Sequence, residues 1–236
     1  MADSAESLAS SMPFVGTKLA RKERIINNFA RITQFVTWPL LFVIFHTLFN
    51  IRIKGRRNFK YVRSPFIIIS NHISFYDSFL FRLVLGVWTP HLPLRFMAVR
   101  RFSWRFLNFL ETIGIIDLIY SLFGVFIVVP GAGLNQNLVE AREIIRAGGN
   151  VVIYPEGKIV VDHSLASFKK GAAVLTRDTG VSVIPVIFKD FEGGLRRKIR
   201  VTVGGPMQIL PGMSIEDMTR SFYNTEAELY ARTQVS

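Results

Sequence analysis

Residues 66–79 read FIIISNHISFYDSF. Phe66 to Ser70 is a short, unbroken apolar run, the pattern of a strand buried on both faces near the middle of a sheet. It ends at once on Asn71 and His72, and Asp77 follows five residues after the histidine. A second run of the same kind, Asn150 to Tyr154, ends on Pro155, Glu156 and Gly157. In open α/β sheets ligands gather at the carboxyl ends of the strands, and both runs place polar groups there.

Outward from these two runs the chain alternates. Further candidate strands are Arg95 to Val99, Val125 to Val129, Val181 to Phe188 and Lys198 to Val203. Between them fall helical patterns at Ser74 to Leu85, Ser103 to Tyr120, Gln136 to Ala147 and Phe168 to Thr179, with Gly148-Gly149 and Gly180 as stops, and a last helix at Ser214 to Arg232. Such alternation predicts an α/β fold with a central, largely parallel sheet flanked by helices. No repeat and no interior linker interrupts it.

Composition narrows the partners. The 236 residues carry a formal charge of +12 and 21 phenylalanines, and half of them are apolar. That charge suits a polyanion, and with so greasy a chain it points to an anionic membrane surface; no nucleic-acid recognition motif is present. With no cysteine, disulfides, thiolate nucleophiles and Cys-based zinc sites are excluded. His46, His91 and His163 match no zinc spacing, so no metal is expected.

The charge is concentrated at the amino end. Residues 1–60 hold ten Lys/Arg against Asp3, Glu6 and Glu23, and they bracket twenty uncharged residues, Ile32 to Ile51. At helical rise this equals a hydrocarbon core of about 30 Å, but Thr33, Gln34, Thr37, Pro39, His46, Thr47 and Asn50 dilute it. The reading is a helix over residues 33–51 lying in or dipping into one leaflet, its flanking cations on headgroups; the alternative is a buried core helix. The expected organisation is a disordered tail over residues 1–20, a basic and apolar membrane-associating helical segment over 21–51, and one catalytic domain over 52–236. Localisation is expected at a membrane: peripheral, monotopic or as a single span. Arg100 and Arg101 suggest a second membrane-facing surface, and Asp117 inside an apolar run reads as a helix cap or break near Gly114.

Two motifs carry candidate chemistry. Ser74 reads as a helix N-cap with Asp77 three residues on, so a capping box accounts for Asp77 without any chemistry. His72 is not so explained: it can bond a carboxylate on the first helical turn through one ring nitrogen and keep the other as a base. In VVIYPEGKIVVDHSLASFKKGAAVL (151–175), Gly157 permits a tight turn, and Lys169 and Lys170 open a helix whose N-terminal amides favour anions. The bland reading is a surface turn and a solvated basic helix end.

Taken in order, these pieces resemble the glycerolipid acyltransferase family, the 1-acylglycerol-phosphate and lysophospholipid acyltransferases. The family's N-H-x-x-x-x-D stands as Asn71-His72 to Asp77, its P-E-G and F-K-K-G as Pro155-Glu156-Gly157 and Phe168 to Gly171, and its V-x-P-V strand as VSVIPVIF with Pro185. The family's arginines that bind the acceptor's phosphate are replaced by Pro130 and Ile159, and the P-E-G-K variant looks like the tafazzin branch, which moves acyl chains between phospholipids and lysophospholipids. The resemblance implies an O-acyltransferase taking a fatty acyl chain from acyl-CoA or acyl carrier protein, with no cofactor, to a lysophospholipid or glycerol-phosphate-type acceptor. It implies His72 as general base oriented by Asp77, and a substrate pocket shaped by Asn71, Glu156, Gly157, Lys158, Lys169, Lys170 and Pro185. Membrane lipids are the expected partners. The alternatives are a tafazzin-like transacylase and a catalytically silent lipid-binding protein of the same fold.

Overall fold

The computed structural model describes residues 13–74, 76–99, 112, 114–129, 131–160, 164–191, 196–207, 209–210 and 212–234. In chain order the elements are α1 (Pro13–Val36), α2 (Trp38–Leu48), β1 (Phe49–Lys54), a 3-10 turn (Arg56–Tyr61), β2 (Ile67–Ser70), α3 (Asp77–Leu85), β3 (Leu94–Val99), α4 (Ile115–Phe123) and β4 (Val125–Val128). There follow α5 (Leu134–Asn137), α6 (Val139–Arg146), β5 (Asn150–Ile153), α7 (Gly171–Thr179), β6 (Val183–Phe191), β7 (Arg197–Val203) and α8 (Ile215–Gln234).

Among the described residues the strands form one seven-stranded sheet of order β1-β7-β6-β2-β5-β3-β4. β2 lies between β5 and β6, parallel to both, with Ile67 opposite Val151 and Val183. β3 and β4 continue the parallel array. Only β6 and β7 pair antiparallel, and β1 runs parallel to β7, so β1 and β7 run against the other five strands. The sheet is therefore largely parallel, as the alternation predicted. Side chains alternate across it. Ile68, Phe188, Ile199 and Val201 build one core with Phe81 of α3 and Phe45 of α2, while Ile67 and Ile69 face a second core with Ile144 of α6, Leu175 of α7 and Phe222 of α8. Each such side chain contributes about 1.5–3 kcal/mol on burial.

The amino-terminal helix differs from its expected form. Two helices, bent by 50°, replace the single helix over residues 33–51. Pro39 sits in the first turn of α2, where its missing N–H costs nothing. Phe49 to Ile51 belong to β1, whose sides alternate between half-buried and exposed. No single helix among the described residues is long and apolar enough to cross a membrane, although α1 and α2 together meet the length and composition.

α1 is inverted with respect to water. Its inward side carries Glu23, Asn27, Ala30 and Gln34, all buried, while Ile25, Phe29, Ile32, Phe35 and Val36 are exposed. The buried groups are matched. Arg95 of β3, 1% exposed, donates to Glu23 Oε2 and to Asn27 Oδ1, both at 2.8 Å. The Gln34 amide accepts the Leu94 N–H at 2.9 Å and donates to the Leu94 carbonyl at 2.6 Å. Polar contacts thus fix α1 to the sheet and turn its apolar stripe outward. On α2, Leu40, Val43 and Leu48 extend that exposed apolar surface.

The helix expected over Ser103 to Tyr120 is described only as α4, which starts after Gly114 in the left-handed region (φ 77°) with Asp117 in its first turn, in keeping with a cap near Gly114. Arg100, Arg101, Pro130 and His163, and most of the expected tail, lie outside the described residues.

Candidate active site

The carboxyl end of β2 is tied to β6 by one side chain. Asn71 Oδ1 accepts the Phe188 N–H and Nδ2 donates to the Phe188 carbonyl, both at 2.8 Å. The amide is spent on the sheet, so Asn71, expected to bind substrate, instead sets the direction in which the chain leaves β2.

That direction brings His72 onto Asp77. His72 Nδ1 donates to Asp77 Oδ2 at 2.9 Å, and the same oxygen accepts the N–H groups of Ile73 and Ser74 at 2.9 Å. Oδ1 accepts the Ser74 hydroxyl at 2.7 Å. Helix α3 starts at Asp77 rather than Ser74, yet the carboxylate still reaches back to the Ser74 N–H, half of the expected capping box. Capping and orientation are served by one buried group. With Nδ1 fixed as donor, Nε2 is the nitrogen left to accept a proton, and the side chain is 18% exposed.

Tyr154, read in the sequence only as the end of a strand, stacks on the imidazole with ring centroids 4.0 Å apart and planes 16° from parallel. Its hydroxyl meets Ser78 Oγ at 3.1 Å. Burial, with the Asp77 charge a lesser cause, pushes its phenol up, so it stays protonated. The stack and the Asp77 bond together leave the imidazole one orientation.

The P-E-G turn closes over the histidine's backbone. Glu156, 3% exposed, accepts the His72 N–H at 3.0 Å with Oε2 and the Ala166 N–H at 3.0 Å with Oε1. Burial raises its pKa, offset in part by these two N–H groups. The Val160 N–H returns to the His72 carbonyl at 2.8 Å, and the Lys169 N–H to the Pro155 carbonyl at 2.8 Å. Gly157 adopts φ +65°, and a Cβ there would lie 2.6 Å from Lys169 Nζ. The ammonium of Lys169 therefore lies against the turn that follows Glu156.

The other candidates are placed differently. Lys158 is exposed on the turn. Lys170, at the start of α7, is held in a surface ion pair with Glu216. Pro185 is inside β6, in register with Ile69 of β2, and its carbonyl accepts the Gly204 N–H at 2.8 Å, so it shapes the sheet. Beside Ser78, a small apolar crevice of about 50 Å³ is lined by Phe79, Leu94, Phe96, Phe123 and Val125.

A histidine oriented by a buried carboxylate thus lies at the carboxyl end of β2, beside a glutamate turn. Residues 50–189, which span all of it, match the model of the Acyltransferase family, and the chain belongs to that family. Among its relatives, a chloroplastic 1-acyl-sn-glycerol-3-phosphate acyltransferase of Arabidopsis thaliana is 30% identical over 146 residues, 60% of this chain and 36% of that one. The human 1-acyl-sn-glycerol-3-phosphate acyltransferase beta is 28% identical over 201 residues, 83% of this chain and 66% of that one. The chain thus spans about a third of the plant protein and just under two thirds of the human one. The crystal structure of the 1-acyl-sn-glycerophosphate acyltransferase PlsC from Thermotoga maritima shares the fold, with a TM-score of 0.56 at 19% identity, covering 94% of this chain and 84% of that one.

Proposed function

We propose that this chain is a membrane-associated O-acyltransferase that moves a fatty acyl group from a thioester donor, acyl-CoA or acyl carrier protein, to the free hydroxyl of a lysophospholipid of the 1-acylglycerol-3-phosphate type. The observation that carries this reading is the imidazole of His72, pinned through Nδ1 by Asp77 and stacked on Tyr154, with Nε2 left for an acceptor. Nε2 takes the proton of the hydroxyl as its oxygen bonds to the thioester carbon. The tetrahedral intermediate then expels the thiolate, which recovers that proton from the imidazolium. Lys158 and Lys169 supply point charges for a phosphate where the family's arginine is replaced by Ile159. The names of the relatives support an acceptor with a glycerol-phosphate headgroup.

The acceptor is tested by a panel in vesicles with a radiolabelled thioester. A specificity constant at least tenfold higher for 1-acylglycerol-3-phosphate than for glycerol-3-phosphate is expected; a preference for glycerol-3-phosphate overturns the assignment.

The inverted α1 supports the membrane reading, because an apolar stripe held outward by buried polar contacts is stable only against lipid or another apolar surface. Purified protein is expected to sediment with anionic vesicles and to be released only in part by salt, since each surface cation contributes about 1 kcal/mol that screening erodes. Replacing Phe29, Ile32 and Phe35 together by serine should lower partitioning by about tenfold or more while leaving the melting temperature in place. Unchanged partitioning would put the membrane contact elsewhere.

A further inference from the structure

β1 and β7 lie side by side at one edge of the sheet, and their register sets cation against cation. Arg52 stands opposite Arg200 and Asn50 opposite Lys198, while Arg200 is in turn opposite Lys189 of β6. Residues in register on neighbouring strands, and residues two apart on one strand, point to the same side of a sheet, so these five side chains share one face. The row Arg52, Arg200, Lys189 therefore crosses three strands at a spacing of about 4.8 Å. Like charges placed opposite one another destabilise a sheet, yet this fold keeps them.

Asn50, Arg52, Lys198 and Arg200 line a small groove of about 60 Å³. The first three are exposed and Arg200 is half-buried; Lys189, 7% exposed, lies over the Tyr230 ring of α8 at 4.0 Å, which closes the inner end of the row. Neither Arg52 nor Lys198 makes an ion pair among the described residues. The acids of β6 and of the carboxyl half of α8 are committed elsewhere: Asp190 pairs with Arg197, Glu228 with Arg232, and Glu226 is buried with neither oxygen bonded to a described residue. Basic residues on an edge strand also deter pairing with another sheet. That duty accounts for Arg52 on β1, but not for Lys198 and Arg200 on β7, an inner strand. Arginine's planar fork matches two phosphate oxygens, and two forks beside an ammonium and an amide suit a phosphate.

We propose that the β1–β7 groove is a phosphate-binding site separate from the acyl-transfer site, with Arg52 and Arg200 as forks, Lys198 as a point charge and Asn50 as an amide donor. A bound phosphate offsets the charges that face each other across the strands. The separation from His72 follows from the sheet. β6 lies between β2 and β7, and Ile199 and Val201, which alternate with the groove's cations, face the core that holds Phe81 of α3. The groove thus opens on the side of the sheet opposite the helix that carries Asp77. Two sources supply the group: the headgroup of a phospholipid, or a soluble phosphate ester.

The test uses no acyl transfer, so it stands whatever becomes of that reading. Folding constants of the wild type, of Arg52→Gln/Lys198→Gln and of a control equal in charge, Arg21→Gln/Arg24→Gln on the exposed side of α1, are measured in inorganic phosphate and in glycerol-3-phosphate against chloride at matched ionic strength. The wild type and the control should gain about tenfold or more at saturating phosphate, and the groove variant should lose most of that gain. For the headgroup, the same three proteins are partitioned onto neutral vesicles doped with phosphatidic acid or, at equal surface charge, with a fatty acid. The wild type and the control should prefer phosphatidic acid by about fivefold or more, and the groove variant should show no preference. A response in either arm that is lost with Arg52 and Lys198 supports the site and names the source of the phosphate. No response in either arm overturns it, as does a response that survives in the groove variant, which would assign the phosphate to other cations. Chloride at low ionic strength separates a ligand site from a structural role. Removing the charge that faces Arg200 should there raise the folding constant by up to about fivefold. A groove variant that loses stability in chloride, or fails to fold, would show that these cations hold the sheet rather than a ligand, and that result overturns the proposal.

Discussion

Replacing His72 by alanine lowers acyl transfer by about 10²- to 10⁴-fold, the usual contribution of a positioned general base, without lowering the melting temperature. The stability half of this expectation follows from packing. The imidazole is partly exposed and stacks on one face of Tyr154, and the backbone bonds of His72 to Glu156 and Val160 survive truncation of the side chain. Asp77→Asn is expected to lose most but not all activity. Asparagine can keep its oxygen on the Ile73 and Ser74 N–H groups, but the carboxylate charge that steadies the imidazolium is gone. Near-wild-type turnover of His72→Ala, measured on protein shown to be folded and bound to vesicles, would remove His72 from the reaction.

The second large effect lies far from His72, at the buried pair that fixes α1. Arg95→Met leaves Glu23, at 0% exposure, without its cation, and breaking a buried pair in this way costs about 3–5 kcal/mol. For a chain of this size the melting temperature should fall by roughly 6–20 °C. Burial lowers the Arg95 pKa against the raising influence of Glu23, so the guanidinium keeps its charge through that partner. Removing both ends together, as Glu23→Leu with Arg95→Met, should recover most of the loss, because the cost arises from the orphaned charge rather than from a missing attraction. A melting temperature within two degrees or so of wild type for Arg95→Met alone would show that α1 is not held by this pair. The loss should also disturb vesicle binding, since the same contacts turn Phe29 and Ile32 outward.

The inner strands β2 and β5 were legible because a strand buried on both faces reads as a continuous apolar run, and β3 and the half-buried edge strand β4 also fall within a residue or two of the expected spans. His72 and Asp77 were legible for a different reason: both sit in one tight turn, so their spacing in sequence is nearly their spacing in space. β1 was not legible. It is a half-buried edge strand, and its charged outer residues, Arg52 and Lys54, looked like the flank of a helix. The faces of α1 were beyond sequence reasoning, since periodicity finds an apolar stripe but not whether protein or lipid covers it. Tyr154 reaches the site only through the fold, from the end of β5, and no local pattern marks it. Asn71, Lys170 and Pro185 show the converse. They stand at motif positions, yet the first holds β6, the second pairs with Glu216 and the third lies within the sheet.

The central claim is that this chain joins an acyl group to a lyso-lipid through His72. It is tested most directly by mixing wild-type protein, a labelled acyl thioester and 1-acylglycerol-3-phosphate in anionic vesicles and following labelled diacyl product against His72→Ala at equal bound protein. The account predicts product from the wild type, with one free thiol released per ester formed, and about a hundredth of that rate or less from the variant. Vesicle-bound, folded wild-type protein that yields no labelled diacyl product from any lyso-lipid acceptor would contradict it.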